Sequence, residues 1–173
     1  DNTKGRIFAY DFQGNMLYAF GGHGYKAGLF MNPSAIEDIG DSLLVTDQKL
    51  GTITQFTLTD YGKMINDGLA EYKKGNYDES ANIWRKVLKH NGNYDQAYIG
   101  IGRALLREKN YKEAMDYFEL KLDAKNYSKA FKLYREVWFE ENIGTILIII
   151  AILILLGFGV GFVKKARREV EKG

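Results

Sequence analysis

The sequence has no cysteine, so it can build neither a disulfide framework nor a thiolate metal site. It has two histidines, His23 and His90, too far apart and too few for a convincing metal cluster. No charge of either sign dominates. Its 24 basic and 22 acidic residues leave a formal charge of +2, which argues against a nucleic-acid binder. At its start it lacks an initiator methionine, a basic n-region and an apolar h-region, so no signal peptide is visible. The chain opens at Asp1 partway through a repeat, and the expectation is a piece of a longer protein.

What is present begins with one long apolar run. Residues 143–163 read IGTILIIIAILILLGFGVGFV, 21 residues without a charge. At about 1.5 Å per residue this run spans roughly 31 Å, the thickness of a bilayer's hydrocarbon core. The other reading, a buried helix of a soluble domain, has to explain why no polar face interrupts it. Lys164, Lys165, Arg167 and Arg168 follow the run, whereas Glu140, Glu141 and Asn142 precede it. Basic residues stay cytoplasmic, which predicts an inner C-terminus and an outer N-terminal part. Trp138 and Phe139 fall at the outer headgroup level, where amphipathic rings are favoured, and the basic cluster at the inner one. Gly157 and Gly161 have the GxxxG spacing that lets a second helix approach closely.

Upstream the chain repeats itself with an offset of 34 residues. That offset pairs Gly68 with Gly102, Tyr77 with Tyr111, Ser80 with Ala114, Trp84 with Phe118 and Leu88 with Leu122. The pattern resembles the tetratricopeptide repeat, a helical hairpin of that period. Small residues at Gly68, Gly102, Ser80 and Ala114 fit where paired helices touch, and the large aromatics fill between them. Gly75 with Asn76, and Lys109 with Asn110, read as tight turns. The proline usual at the repeat end is replaced by Gly92, which also stops helices. The expected helices are 61–74, 77–90, 94–108 and 111–122. A capping helix over 127–139 enters the apolar run without a proline or loop-rich break. Two such repeats bury little surface alone, so they need support from neighbours.

The resemblance implies peptide or protein binding in a groove lined by the first helix of each repeat. Its candidate residues here are Tyr72, Lys73, Arg103 and Arg107, with Ile65, Leu69, Ile99 and Leu106 beside them. The basic-and-asparagine clamp of some family members is missing, because Ile65 and Leu69 occupy key positions. Lys73, Arg103 and Arg107 are expected to attract an acidic segment; the plainer reading is solvated surface charge.

Residues 1–60 have a different texture. GRIFAYD, NMLYAFG, SLLVTD and TITQFTL are β-branched and aromatic runs separated by Gly, Asn and Asp turns. Phe12, Gln13, Gly14 and Asn15 form the turn of a predicted hairpin. The stretch from Gly28 through Asn32, Pro33, Leu44 and Asp47 to Phe56 resembles the NHL repeat, which builds four-stranded propeller blades. Gly5-Arg6-Ile7 and Gly51-Thr52-Ile53 are then equivalent starts of a third strand, with Thr52 where an arginine is usual. This implies two strands of one blade and three of the next. A propeller closes with about four to eight blades, so the remainder is expected before Asp1. The outermost strand of the last blade is expected from the N-terminal end of the intact propeller.

Catalysis has little to stand on. In the propeller stretch, Asp38, Asp47, His23 and Asn32 are the candidates for metal-ligating or acid–base roles, and no two of them have diagnostic spacing. The GGHGYKAG loop lacks the Lys-Ser/Thr ending and following helix of a phosphate-binding loop. No cofactor is expected.

The predicted fold class is a multidomain β + α membrane protein. Its parts are a partial β-propeller of about two blades (1–60), two tetratricopeptide repeats (61–126), a capping helix (127–142), one transmembrane helix (143–163) and a basic tail (164–173). This order is similar, over residues 5–163, to Gram-positive bacterial membrane proteins that join an NHL propeller, helical repeats and a Yip-like polytopic region. Members of that group are often encoded beside carbohydrate ABC transporters. The resemblance implies a membrane-anchored extracytoplasmic scaffold or adaptor, with membrane lipid and a transporter permease or solute-binding protein as partners. A surface-tethered propeller hydrolase, or a sensor with its effector domain beyond Gly173, are the alternative readings.

Overall fold

The N-terminal runs pair locally, as short alternating strands separated by turn residues should. β1 (Arg6–Tyr10) and β2 (Met16–Gly21) form an antiparallel hairpin, with Arg6 opposite Gly21 and Tyr10 opposite Met16. Its loop is held by Asp11, whose carboxylate accepts from the backbone N–H groups of Gln13 at 2.9 Å and Asn15 at 2.8 Å. β3 (Pro33–Ile39), β4 (Ser42–Asp47) and β5 (Thr52–Thr57) form a second antiparallel sheet in that order. The proline opens β3, an edge strand, where a missing N–H costs the sheet little. β5 is an edge strand, and Ile53 on it is 70% exposed. The structure, a computed structural model, describes residues 1–170; of Phe162 and residues 165–170 it describes the backbone alone.

The two sheets meet through aromatic rings. Phe56 lies 4.8 Å from Phe20 and 5.7 Å from Phe30, and Phe30 is fully buried. Gly5 and Gly51, directly before β1 and β5, share left-handed φ values of +59° and +64°. Two small sheets of two and three strands are therefore present.

Four helices follow: α1 (Asp60–Lys74), α2 (Tyr77–His90), α3 (Asp95–Arg107) and α4 (Tyr111–Leu120). The Thr59 hydroxyl caps α1 by accepting from Gly62 N–H at 3.1 Å. α2 carries Asp78 and Glu79 in its first turn and Lys89 and His90 in its last, complementing its dipole. α1 and α3 each end at a left-handed residue: Gly75 (φ +90°) closes α1, and Lys109 (φ +64°) follows α3. Leu122 (φ +54°) does the same after α4, which is why that helix stops at Leu120 and not at the expected 122. After each turn an amide reaches back five residues: Asn76 to Glu71, Asn110 to Leu105 and Asp123 to Phe118.

Aromatic rings seated on glycines hold the helices together. Trp84 is 2% exposed, and a Cβ at Gly68 or Gly100 would stand 2.9 or 2.5 Å from its indole. Phe118, fully buried, stands in the same way over Gly102. The Ser80 hydroxyl donates to the Gly68 carbonyl at 2.7 Å, which satisfies both groups where α1 and α2 are closest.

Helix α5 runs Ala124–Val170, begun by Asp123, whose carboxylate accepts from Asn126 N–H at 3.1 Å. The capping helix and the apolar run are thus one element. By contacts the chain divides into two units, residues 1–130 and the residues from Phe131 onward. In the second unit Lys132 pairs with Glu136 at 3.9 Å, and among the described residues none of the apolar stretch is buried.

Candidate functional site

The expected groove residues project from α1 and α3, because positions three and four apart share a helix face. The structure brings three of the four together: Tyr72, Lys73 and Arg103 line one cleft of about 540 Å³. Arg107 joins it indirectly, donating from Nε to the Tyr72 hydroxyl at 3.2 Å. The opposite wall was not anticipated. It is the β1–β2 hairpin, whose Tyr10, Asp11, Phe12 and Leu17 face the repeat.

Arg103 is not a solvated cation. Its Nη1 lies 3.4 Å from Asp11 Oδ2, and the two side chains are only 16% and 7% exposed. Burial pushes the Asp11 carboxyl up, but hydrogen bonds from Asn15 and Gln13 and the Arg103 charge outweigh it. The net effect holds Asp11 below the ordinary carboxylate range, so the pair stays ionised at neutral pH. Lys73 is exposed, with Nζ 4.9 Å above the Phe12 ring in a cation–π contact.

Two tyrosines complete the junction. The Tyr94 hydroxyl donates to the Leu17 carbonyl at 2.8 Å, and Tyr18 donates to Asn66 Oδ1 at 3.4 Å. Burial raises the Tyr94 phenol well above its ordinary range and keeps it a donor at any physiological pH. Beside them the Tyr61 hydroxyl is buried with no hydrogen-bond partner among the described residues. Sequence reasoning missed Asp11, Asn66 and Tyr94 as members of this site. Asp11 reads locally as a turn residue and Tyr94 as the opening of a helix, so no spacing signal marks either.

In the second unit, Trp138 and Phe139 meet edge-on at 5.3 Å, and both are over 40% exposed. Among the described residues a Cβ at Gly157 or Gly161 would meet nothing within 4 Å, so the backbone there is open to approach. Lys164 is exposed, whereas the side chains of Lys165, Arg167 and Arg168 lie outside the described residues.

The acidic and imidazole groups weighed for chemistry are placed otherwise. Asp47, 2% exposed, accepts from four backbone amides: Met31, Asn32, Lys49 and Leu50, at 2.6 to 2.9 Å. It is a loop clasp joining the start of β3 to the β4–β5 turn. His23 sits in an isolated bridge to Phe30, and Asp38 is exposed on β3. Among the described residues no group of three or more His, Cys, Asp or Glu is placed to hold a metal.

A family model of the tetratricopeptide repeat matches residues 66–131. That stretch begins within α1, contains α2 to α4 and ends in the start of α5. Tetratricopeptide repeats are protein-interaction modules of stacked helical hairpins, and the paired helices above have that construction. No curated protein matches the chain.

Proposed function

We propose that this protein is a membrane-anchored extracytoplasmic scaffold that binds protein partners through its tetratricopeptide-like helices. The observation that carries the reading is the pairing, in one chain, of such helices with an apolar stretch on α5 that is not buried among the described residues. Exposed Ile, Leu, Val and Phe over some five turns are costly in water and favourable in lipid. Trp138 and Phe139 then anchor the outer interface, and Lys164, Lys165, Arg167 and Arg168 the inner one. Gly157 and Gly161 offer a face on which a second transmembrane helix can pack.

In this reading the two sheets are the last part of an NHL-type propeller. The matching left-handed glycines before β1 and β5, and the open outer edge of β5, support it. The strand that pairs with β5 comes from the N-terminal side of the longer chain. The partner we favour is a carbohydrate ABC transporter, to which the scaffold is an accessory subunit.

Affinity purification of the full-length protein in mild detergent tests this. Transporter permease and solute-binding subunits should be recovered stoichiometrically; recovery of the protein alone would overturn the stable complex. Single introduced cysteines test orientation, since these 173 residues contain none of their own. Ser128→Cys should react with a membrane-impermeant maleimide on intact cells, and Lys172→Cys only after permeabilisation.

A further inference from the structure

The first-helix groove of the repeat pair is partly filled from within the molecule. Asp11 enters it and neutralises Arg103, so that arginine is already spent. The hairpin does not depend on this contact, because Asp11 also accepts from Gln13 N–H, Asn15 N–H and Asn15 Nδ2 in its own turn. What remains is a composite cleft with one wall from the sheet and one from α1, mostly apolar, floored by Leu17 and Leu69. Its volume of about 540 Å³ is within the range of ligand clefts, about 300–1,000 Å³.

The charges around its mouth do not balance. Lys73 meets the Phe12 ring and Arg107 the Tyr72 hydroxyl; among the described residues neither has a carboxylate partner. Lys74, the next cation along, is taken by Glu71 at 2.7 Å. The acidic residue lining the cleft, Asp11, is taken by Arg103. Lys73 thus lines the apolar cleft and Arg107 adjoins it through Tyr72, and both cations are exposed and reachable.

We infer that this cleft receives a partner segment in which a carboxylate neighbours an apolar side chain. The apolar side chain enters between Leu69 and the hairpin, and the carboxylate is held by Lys73 and Arg107. The chain's own Asp11 and Phe12 display the same chemistry on the facing wall, a carboxylate on an arginine and a ring under a lysine. This inference rests on the scaffold reading and specifies what the scaffold selects.

Fluorescence anisotropy on the full chain in detergent tests it. The probes are fluorescein-labelled Gly-Leu-Asp-Phe-Glu-Gly and its neutral counterpart Gly-Leu-Asn-Phe-Gln-Gly. The acidic probe should bind saturably and at least tenfold more tightly than the neutral one. Lys73→Met and Arg107→Met should each weaken it about tenfold, and Leu69→Glu, which places a carboxylate in the cleft, should abolish it. Lys89→Met, which removes an exposed charge on α2, should leave binding unchanged. Equal binding of both probes, unchanged binding in the Lys73 and Arg107 variants, or no binding of either probe would overturn the inference. If the cleft variants still co-purify with transporter subunits while the probes fail, the scaffold reading stands and only the cleft assignment falls.

Discussion

Gly75 and Lys109 stand one repeat apart and occupy the same left-handed backbone position, at φ +90° and +64°. Each lets the following asparagine amide reach back five residues to close its helix. Only the first is the residue that the geometry favours. A side chain in this region costs about 1–2 kcal/mol, which glycine avoids.

Lys109→Gly should therefore stabilise the repeat unit by about 1 kcal/mol. Leu122→Gly should act likewise, because Leu122 is also left-handed and its side chain, 89% exposed, gives up little packing. Gly75→Ala should destabilise to a similar extent. Urea unfolding followed by far-ultraviolet circular dichroism reads all three; a Lys109→Gly variant less stable than the parent would contradict the account.

Gly100→Ala should destabilise despite alanine's better helix propensity. The added methyl would sit 2.5 Å from Trp84 Nε1, and overpacking costs about 1–3 kcal/mol against about 1 gained from propensity. Gly92→Ala, where the nearest atom is 3.9 Å away, is the matched comparison and should be far milder. The quenching and wavelength of Trp84 emission should change in the first variant and not in the second.

Acid should loosen the second sheet through Asp47. Burial alone would raise its carboxyl, but four backbone amides hold it below the ordinary range. A depressed folded-state value means the stabilisation is complete above the unfolded value, about 3.9, and is lost as pH falls below it. The thermal midpoint should drop between pH 5 and pH 3, and Asp47→Asn should lower it at pH 7 while flattening that dependence. A variant with an unaltered acid limb would assign the effect to other carboxylates, Asp11 first.

Tyr94→Phe should leave the repeats folded but release the hairpin. It strands the Leu17 carbonyl, a loss of about 1–2 kcal/mol for a partly buried acceptor. Hydrogen exchange should quicken in β1 and β2 while α2 and α3 keep their protection. Uniform loss of protection would mean that the junction and the repeats unfold together.

The helices were the most legible part of the sequence. Their 34-residue offset, the small-for-large pairing of Gly68 with Trp84, and charged residues sorted to the ends of α2 all encode local events. Their bounds were off by one or two residues where the backbone turns left-handed without a glycine, as at Leu122. The strands were legible too, from alternation and Gly/Asn punctuation. The insertion of the hairpin into the groove was not. Asp11 and Arg103 are 92 residues apart, and each has a sufficient local explanation, so nothing in spacing joins them. Gly100 was missed for a related reason: its ring partner belongs to the other repeat, and a period of 34 does not mark it.

That last contact sets how far the array can grow. Trp84 is housed by a glycine of its own repeat, Gly68, and by a glycine of the next, Gly100. Counting one period onward, Phe118 keeps its own glycine in Gly102, but the acceptor position falls on Tyr134. The socket that joins one unit to the next is thus written once and not renewed. A lengthened version made by duplicating residues 61–94 would have to bring a Gly100 equivalent with it, and the frame of inheritance for this module is three helices, not two.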